Sequence, residues 1–187
     1  LFLLFLTGWT ALNLVQVVFS TWGLGMDEAQ YWDWLRHLDW SYYSKPPLIA
    51  WFIAFTTWTG GHEEWVIRAG AVVLNAGMLA LLYVLARRIA HSERAGWIAC
   101  AVTLGASILW TRSVLMSTDS LLVFFWALAM YTYLRALDAN GMRWWLATGA
   151  ALGLGMLSKY TTALLAAALA AHLLLAGRER LRGPGPY

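Results

Sequence analysis

The chain has 187 residues, 60% of them apolar and 12% charged, with a mean hydropathy of +0.58 and a formal net charge of +3. These values lie well outside the range of soluble domains and define a membrane protein. They exclude a nucleic-acid-binding module, because the basic residues punctuate apolar runs and do not gather on one soluble face. One cysteine, Cys100, lies inside an apolar run and excludes an internal disulfide framework or a Cys-based metal site.

The chain opens at Leu1 without an initiator Met and stops in a Gly-Pro-Gly-Pro run, so it reads as the N-terminal portion of a longer protein. A membrane-crossing helix needs about 20 predominantly apolar residues, and residues 1–22 supply them without a charge. No charged region precedes this run and no small-residue cleavage pattern follows it, which predicts a retained first helix and not a cleaved signal peptide. Residues 23–64 are neither a span nor an ordinary polar loop. Asp27 to Leu38 reads as an interfacial helix, with Tyr31, Trp34, Leu35 and Leu38 on one face and Gln30, Asp33 and His37 on another. Trp22, Trp32, Trp34, Trp40, Trp51 and Trp58 are rings of the kind that settle at headgroup depth. Leu48 to Trp58 is apolar but about half the length of a crossing, so it is expected to lie along the membrane surface or dip into it.

Further spans are predicted at residues 65–86, 95–110 and 120–137. Trp145 to Ala176 is too long for one crossing at about 1.5 Å per residue, and Lys159 stands near its middle. Two short helices, 145–157 and 161–176, are therefore expected to meet near Lys159. The predicted fold class is all-α: a polytopic transmembrane helix bundle with interfacial helices in its first outer loop. No repeat, low-complexity segment or soluble domain is visible.

These spans sort the charges. Arg87, Arg88, Arg94, Arg135, Arg143, Arg178, Arg180 and Arg182 fall on one side, and Arg36, Lys45, Arg68, Arg112 and Lys159 on the other. The first set is the larger, which assigns it to the cytoplasm by the positive-inside bias. Of the acids, Glu93, Asp138 and Glu179 fall on that side and the rest lie opposite. A single span over Trp145 to Ala176 would carry the Arg-rich tail outside, so the parity of crossings supports the break at Lys159.

Four places on the outer side carry candidate chemistry: Asp27-Glu28, Lys45 before Pro46-Pro47, Asp119 after Ser117-Thr118, and Lys159. Ionisable groups at membrane depth are costly and are functional candidates by default. Each also has a plain structural explanation. Asp27 can be a helix N-cap with Gln30 completing a capping-box-like pattern, and Asp119 suits the positive end of a helix dipole. Lys45 can be a turn lysine ahead of a rigid Pro-Pro pair, and Lys159 can snorkel to the interface. Together they are more informative. Cations can hold a lipid phosphate, and a carboxylate within hydrogen-bond reach can deprotonate an attacking hydroxyl.

Other polar residues have simpler readings. His62, Glu63 and Glu64 lack a second His at ligand spacing and read as a solvated loop. Asp33 and His37 sit one turn apart and read as a surface ion pair. His172 reads as a packed, hydrogen-bonded histidine, and Tyr42 and Tyr43 as interfacial anchors or sugar-pocket residues.

The runs Asp27-Glu28-Ala29-Gln30-Tyr31-Trp32 and Tyr43-Ser44-Lys45-Pro46-Pro47-Leu48, the latter leading to Trp51, resemble the first outer loop of family 39 type glycosyltransferases. Glu64 to Arg68, Ser117-Thr118-Asp119-Ser120-Leu121-Leu122 and Gly153-Leu154-Gly155-Met156-Leu157-Ser158-Lys159-Tyr160 extend the resemblance in order along nearly the whole chain. That group includes bacterial aminoarabinose transferases of lipid A, Rgt-type galacturonosyltransferases of rhizobial lipopolysaccharide, and protein O-mannosyltransferases.

The resemblance implies the GT-C fold, an integral membrane location in the bacterial inner membrane, and an active site facing the periplasm or exterior. It implies inverting transfer of a sugar from a polyprenyl-phosphate donor to a lipid, glycan or protein acceptor. Asp27 takes the place of the general base, with Glu28 and Asp119 in the catalytic group. Lys45 and Lys159 correspond to phosphate ligands, with Tyr43 and Tyr160 beside them in the substrate site. Some aminoarabinose transferases carry a Glu directly before Lys-Pro-Pro where it can reach a metal. Here Ser44 stands there, so neither a metal nor a tightly bound cofactor is expected. The later helices of such enzymes are absent from this chain, so it is expected to be inactive alone. A lipid or solute transporter is the alternative from another class; it predicts internal repeats and ionisable groups near the bilayer centre.

Overall fold

The computed structural model describes residues 1–106, 114–139 and 141–176. Arg112, Arg178, Glu179, Arg180, Arg182, the end of the expected third span and the C-terminal tail lie outside the described residues. Among the described residues there are eight helices and no strand: α1 (Phe2–Val18), α2 (Met26–Trp34), α3 (Leu48–Gly60), α4 (Glu64–Ile89), α5 (Glu93–Gly105), α6 (Thr118–Ala139), α7 (Met142–Ser158) and α8 (Thr162–Ala176). Two of them, α4 and α6, are long and apolar enough to cross a membrane, while α1, α3 and α8 are shorter apolar helices.

Side-chain contacts give the relative directions. Phe2 stacks on Tyr83 at a centroid separation of 3.8 Å, whereas the exit of α1 at Trp22 meets Arg68, so α1 runs antiparallel to α4. Cys100 approaches the Leu79 carbonyl and Gly96 abuts Tyr83, which makes α5 antiparallel to α4 as well. Phe124 packs on Gly77 and Asp138 pairs with Arg88, so α6 returns parallel to α4. The hydroxyl of Thr148 donates to that of Thr132 and Trp145 lies edge-on to Tyr133, while Phe125 approaches Gly155; α7 is therefore antiparallel to α6. Thr162 meets Trp126 and His172 meets Tyr133, which turns α8 back parallel to α6.

Glycines set two of these contacts. A Cβ on Gly96 would lie 2.7 Å from the Tyr83 ring and 3.0 Å from its carbonyl oxygen, so α4 and α5 approach as closely as a bare backbone permits. Gly96→Ala is expected to cost about 1–3 kcal/mol through overpacking and to lower the thermal midpoint in detergent. Gly149→Ala is the control: a Cβ there meets nothing within 4 Å, and an equal drop in that variant would overturn the prediction. Gly155 admits Thr162, whose methyl would lie 2.8 Å from an added Cβ, and this closeness permits the sharp reversal between α7 and α8. At that reversal Lys159 leaves the helix with φ −160° and ψ 129°.

The outer loop differs from its expected form in two respects. The interfacial helix ends at Trp34 and not at Leu38, because Arg36 and His37 donate to Asp33 and Trp34 in tight three-residue turns. The hydroxyl of Tyr42 then donates to the Trp34 and His37 carbonyls at 3.2 and 3.1 Å, and its ring stacks on Trp34. Among the described residues the expected ion pair between Asp33 and His37 is not formed. Tyr31, Trp34 and Leu35 face the core, but Leu38 is 55% exposed. Helix α3 packs its fully buried Ile49 and Ile53 into that core and seats Phe52 and Thr56 against Gly70 of α4.

Apolar side chains also cover the outside. Leu3, Leu4 and Leu12 of α1, Val73 of α4, Ile98 and Val102 of α5, and Leu164 and Leu175 of α8 are exposed, as expected of surfaces whose solvent is hydrocarbon.

Candidate active site at one end of the bundle

The helix directions bring Trp22, α2, the start of α4, the start of α6 and the α7–α8 reversal to one end. Asp27, Glu28, Arg36, Lys45, Arg68, Asp119 and Lys159 gather there. Arg87, Arg88, Glu93, Arg94, Arg135, Asp138 and Arg143 lie at the other end.

A buried ion pair organises the first end. Arg68, in the second turn of α4, and Glu28, in the first turn of α2, meet at 2.9 Å with side chains only 6% and 3% exposed. Arg68 Nε and Nη2 fork onto the two Glu28 carboxylate oxygens, and the remaining N–H groups reach the Trp22 carbonyl at 2.9 Å, the Gly23 carbonyl at 2.8 Å and the Ser20 hydroxyl. Glu28 also accepts from the Gly25 amide and, at 3.0 Å, from the Met116 amide. A guanidinium has five N–H donors and a carboxylate about four acceptor positions, and both sets are filled. Charges so far from water are tolerated only in such a saturated arrangement. Glu28 consequently has no lone pair left for a substrate proton; its geometry positions α2.

Asp27 occupies the opposite situation. The N-cap of α2 is Gly25, whose amide is bonded by Glu28, so Asp27 lies inside the first turn and is not the cap. Its side chain is exposed, and among the described residues no hydrogen bond or ion pair engages it. Adjacent helical positions are about 100° apart, which directs Asp27 outward while Glu28 points into the brace.

Met116 links this brace to the second charged pair. Three residues on, Asp119 lies in the first turn of α6, where the Ser117 hydroxyl accepts the Ser120 amide. Lys159 Nζ donates to Asp119 Oδ1 at 2.6 Å, with side-chain exposures of 35% and 26%. An ammonium carries three N–H donors, so two remain for another acceptor. The structure thus joins Asp119 to Lys159 and connects both to the Asp27 helix through Met116 and Glu28.

The other expected site residues lie toward the same end, with no side-chain hydrogen bond or ion pair to these groups among the described residues. Lys45 is half-buried ahead of the buried Pro46 and Pro47, and its carbonyl accepts the Tyr42 amide at 3.2 Å. Among the described residues, no hydrogen bond or ion pair joins its side chain to Asp27, Asp119 or Lys159. Tyr43 is fully exposed and Tyr160, beside Lys159, is 66% exposed. Trp22, Trp40 and Trp58 are likewise exposed, at 80%, 81% and 83%. The principal residue not singled out from sequence is Arg68. Its signal was there to be used: a lone arginine inside an otherwise apolar span must find a buried acid.

Residues 44–187 match the family described as dolichyl-phosphate-mannose-protein mannosyltransferase. The chain belongs to this family of GT-C type membrane glycosyltransferases and is an integral membrane protein. Lys45, Asp119 and Lys159 lie within the matched residues, and Asp27 and Glu28 precede them. The lipid A galacturonosyltransferase RgtD of Rhizobium johnstonii (strain DSM 114642 / LMG 32736 / 3841) is 35% identical to the chain over 182 residues, which cover 96% of the chain and 38% of that relative. The chain therefore spans 38% of the length of the curated relative it matches. No solved structure matches it. Family membership favours the transferase reading over a transporter.

Proposed function

We propose that the full protein is an inverting glycosyltransferase that moves a sugar from a polyprenyl-phosphate donor to an acceptor hydroxyl on the extracytoplasmic face of a bacterial inner membrane. The observation that carries this reading is an exposed Asp27, without a partner among the described residues, on a rigidly braced helix at the same bundle end as the Lys159–Asp119 pair. The name of the relative RgtD gives lipid A as the substrate, and this supports an envelope lipid as acceptor over a glycan or protein.

Asp27 takes the proton of the acceptor hydroxyl as its oxygen attacks the anomeric carbon. The bond from that carbon to the phosphate oxygen breaks on the opposite side, and polyprenyl phosphate leaves with the electron pair. Lys159, with Lys45 from the start of α3, neutralises the charge that builds on the leaving phosphate. Asp119 keeps Lys159 in place, while Tyr43 and Tyr160 line the approach of the sugar. The reading involves no tightly bound cofactor and no metal.

Donor class is the direct test. Full-length protein in sealed vesicles, given either a polyprenyl-phosphate sugar or the matching nucleotide sugar, is expected to transfer only from the lipid-linked donor and with inversion at the anomeric carbon. Direct use of the nucleotide sugar, or retention, would sink the proposal. Lys159→Gln is expected to lower kcat/KM for the donor by about tenfold or more, the loss of one charge-assisted hydrogen bond to charge that develops on the leaving phosphate, with kcat falling as well; an unchanged kcat/KM would remove Lys159 from the phosphate site.

A further inference from the structure

The end of the bundle opposite the candidate site holds a cleft of about 560 Å³ between the last turns of α4 and α6 and the α4–α5 turn. Arg87, Arg88, His91, Glu93, Tyr131 and Arg135 line it. The charges there do not balance. Arg87 pairs with Glu93 at 3.3 Å and Arg88 pairs with Asp138, but Arg135 has no carboxylate partner among the described residues. Its guanidinium carbon lies 4.9 Å from the Trp144 ring centroid, and its buried Nε has no hydrogen-bond acceptor among the described residues. A buried donor with no acceptor is expensive to keep. Arg135 is thus the lining guanidinium left without a carboxylate among the described residues, and Arg143 faces the same Trp144 ring, so the excess charge here is positive and suits an anionic group.

The position favours a lipid over a soluble ion. The cleft lies at the ends of the two helices long enough to cross a membrane, where headgroups reside. The apolar Val84 contributes to its wall and is 41% exposed, giving an acyl chain an apolar surface next to the charges. We propose that this cleft binds the phosphodiester headgroup of an anionic phospholipid, with Arg135 as the central contact and Arg87 and Arg88 flanking it.

Delipidated full-length protein titrated with phosphatidylglycerol or phosphatidylcholine, and read by native mass spectrometry, tests this independently of sugar transfer. Phosphatidylglycerol is expected to bind about tenfold tighter, and Arg135→Gln to erase most of that preference, in keeping with the loss of a charge-assisted contact. Arg135→Lys is expected to retain part of it. Should Arg135→Gln fail to fold, the surface variant Arg87→Gln carries the test and is expected to weaken phosphatidylglycerol binding severalfold. Equal binding of the two lipids, or phosphatidylglycerol binding indifferent to the variants that fold, overturns the proposal. Displacement of the lipid by millimolar inorganic phosphate also overturns it, in favour of a soluble-anion site.

Discussion

Asp27→Asn in the full-length protein is expected to reduce sugar transfer by about 10²- to 10⁴-fold, the usual contribution of a positioned general base, with little change in fold. The substitution keeps the size of the side chain and removes only its capacity to take a proton. Among the described residues Asp27 has no partner to lose, and it does not cap its helix. The remaining structural cost is a favourable charge near a helix N-terminus, about 0.3–1 kcal/mol. Initial rates with a lipid-linked donor, beside a melting curve of the same preparation, separate the two effects. Rates like those of the unaltered protein would show that another group takes the proton.

Removal of Arg68 should act on stability first. Arg68→Ala leaves Glu28 buried with no cation, and breaking a buried pair from one side costs about 3–5 kcal/mol. Arg68→Lys should recover little, because an ammonium cannot fork onto both carboxylate oxygens while also reaching the Trp22 and Gly23 carbonyls. Replacing both members with apolar residues of similar volume is expected to restore much of the stability, but not transfer, because α2 would lose its attachment to Met116. Unfolding in detergent by denaturant gives the first quantity and the transfer assay the second. An Arg68→Ala protein as stable as the original would show the ion pair to be dispensable.

How much of this was readable in the sequence depended on the length scale of each signal. Long apolar runs bounded by charge located α4 and α6 closely, because burial of about 20 consecutive apolar residues leaves little freedom in placement. The interruption at Lys159 was legible for the same reason: the run was too long for one crossing and carried a cation in its middle. The end of α2 was not. Apolar periodicity continued to Leu38, whereas Tyr42, eight residues after Trp34, satisfies the Trp34 carbonyl, and a hydroxyl from outside the helix leaves no mark in local pattern. The candidate site was legible as a set of residue types, but not in its pairings. Glu28 and Arg68 are 40 positions apart, as are Asp119 and Lys159, and no periodicity reports contacts of that range. Adjacent acids with opposite environments, Asp27 and Glu28, were equally indistinguishable until α2 had an orientation.

The Met116 amide that completes the Glu28 shell comes from 88 positions further along the chain. A growing polypeptide reaches the membrane from its N-terminus, so Glu28 and Arg68 can find each other while the segment before α6 is still unmade. Biosynthesis therefore passes through a stage in which the acid is neutralised but incompletely coordinated. Truncations that stop short of α6 are expected to insert with the Gly25–Glu28–Arg68 contacts in place and to lack only the fourth bond to Glu28.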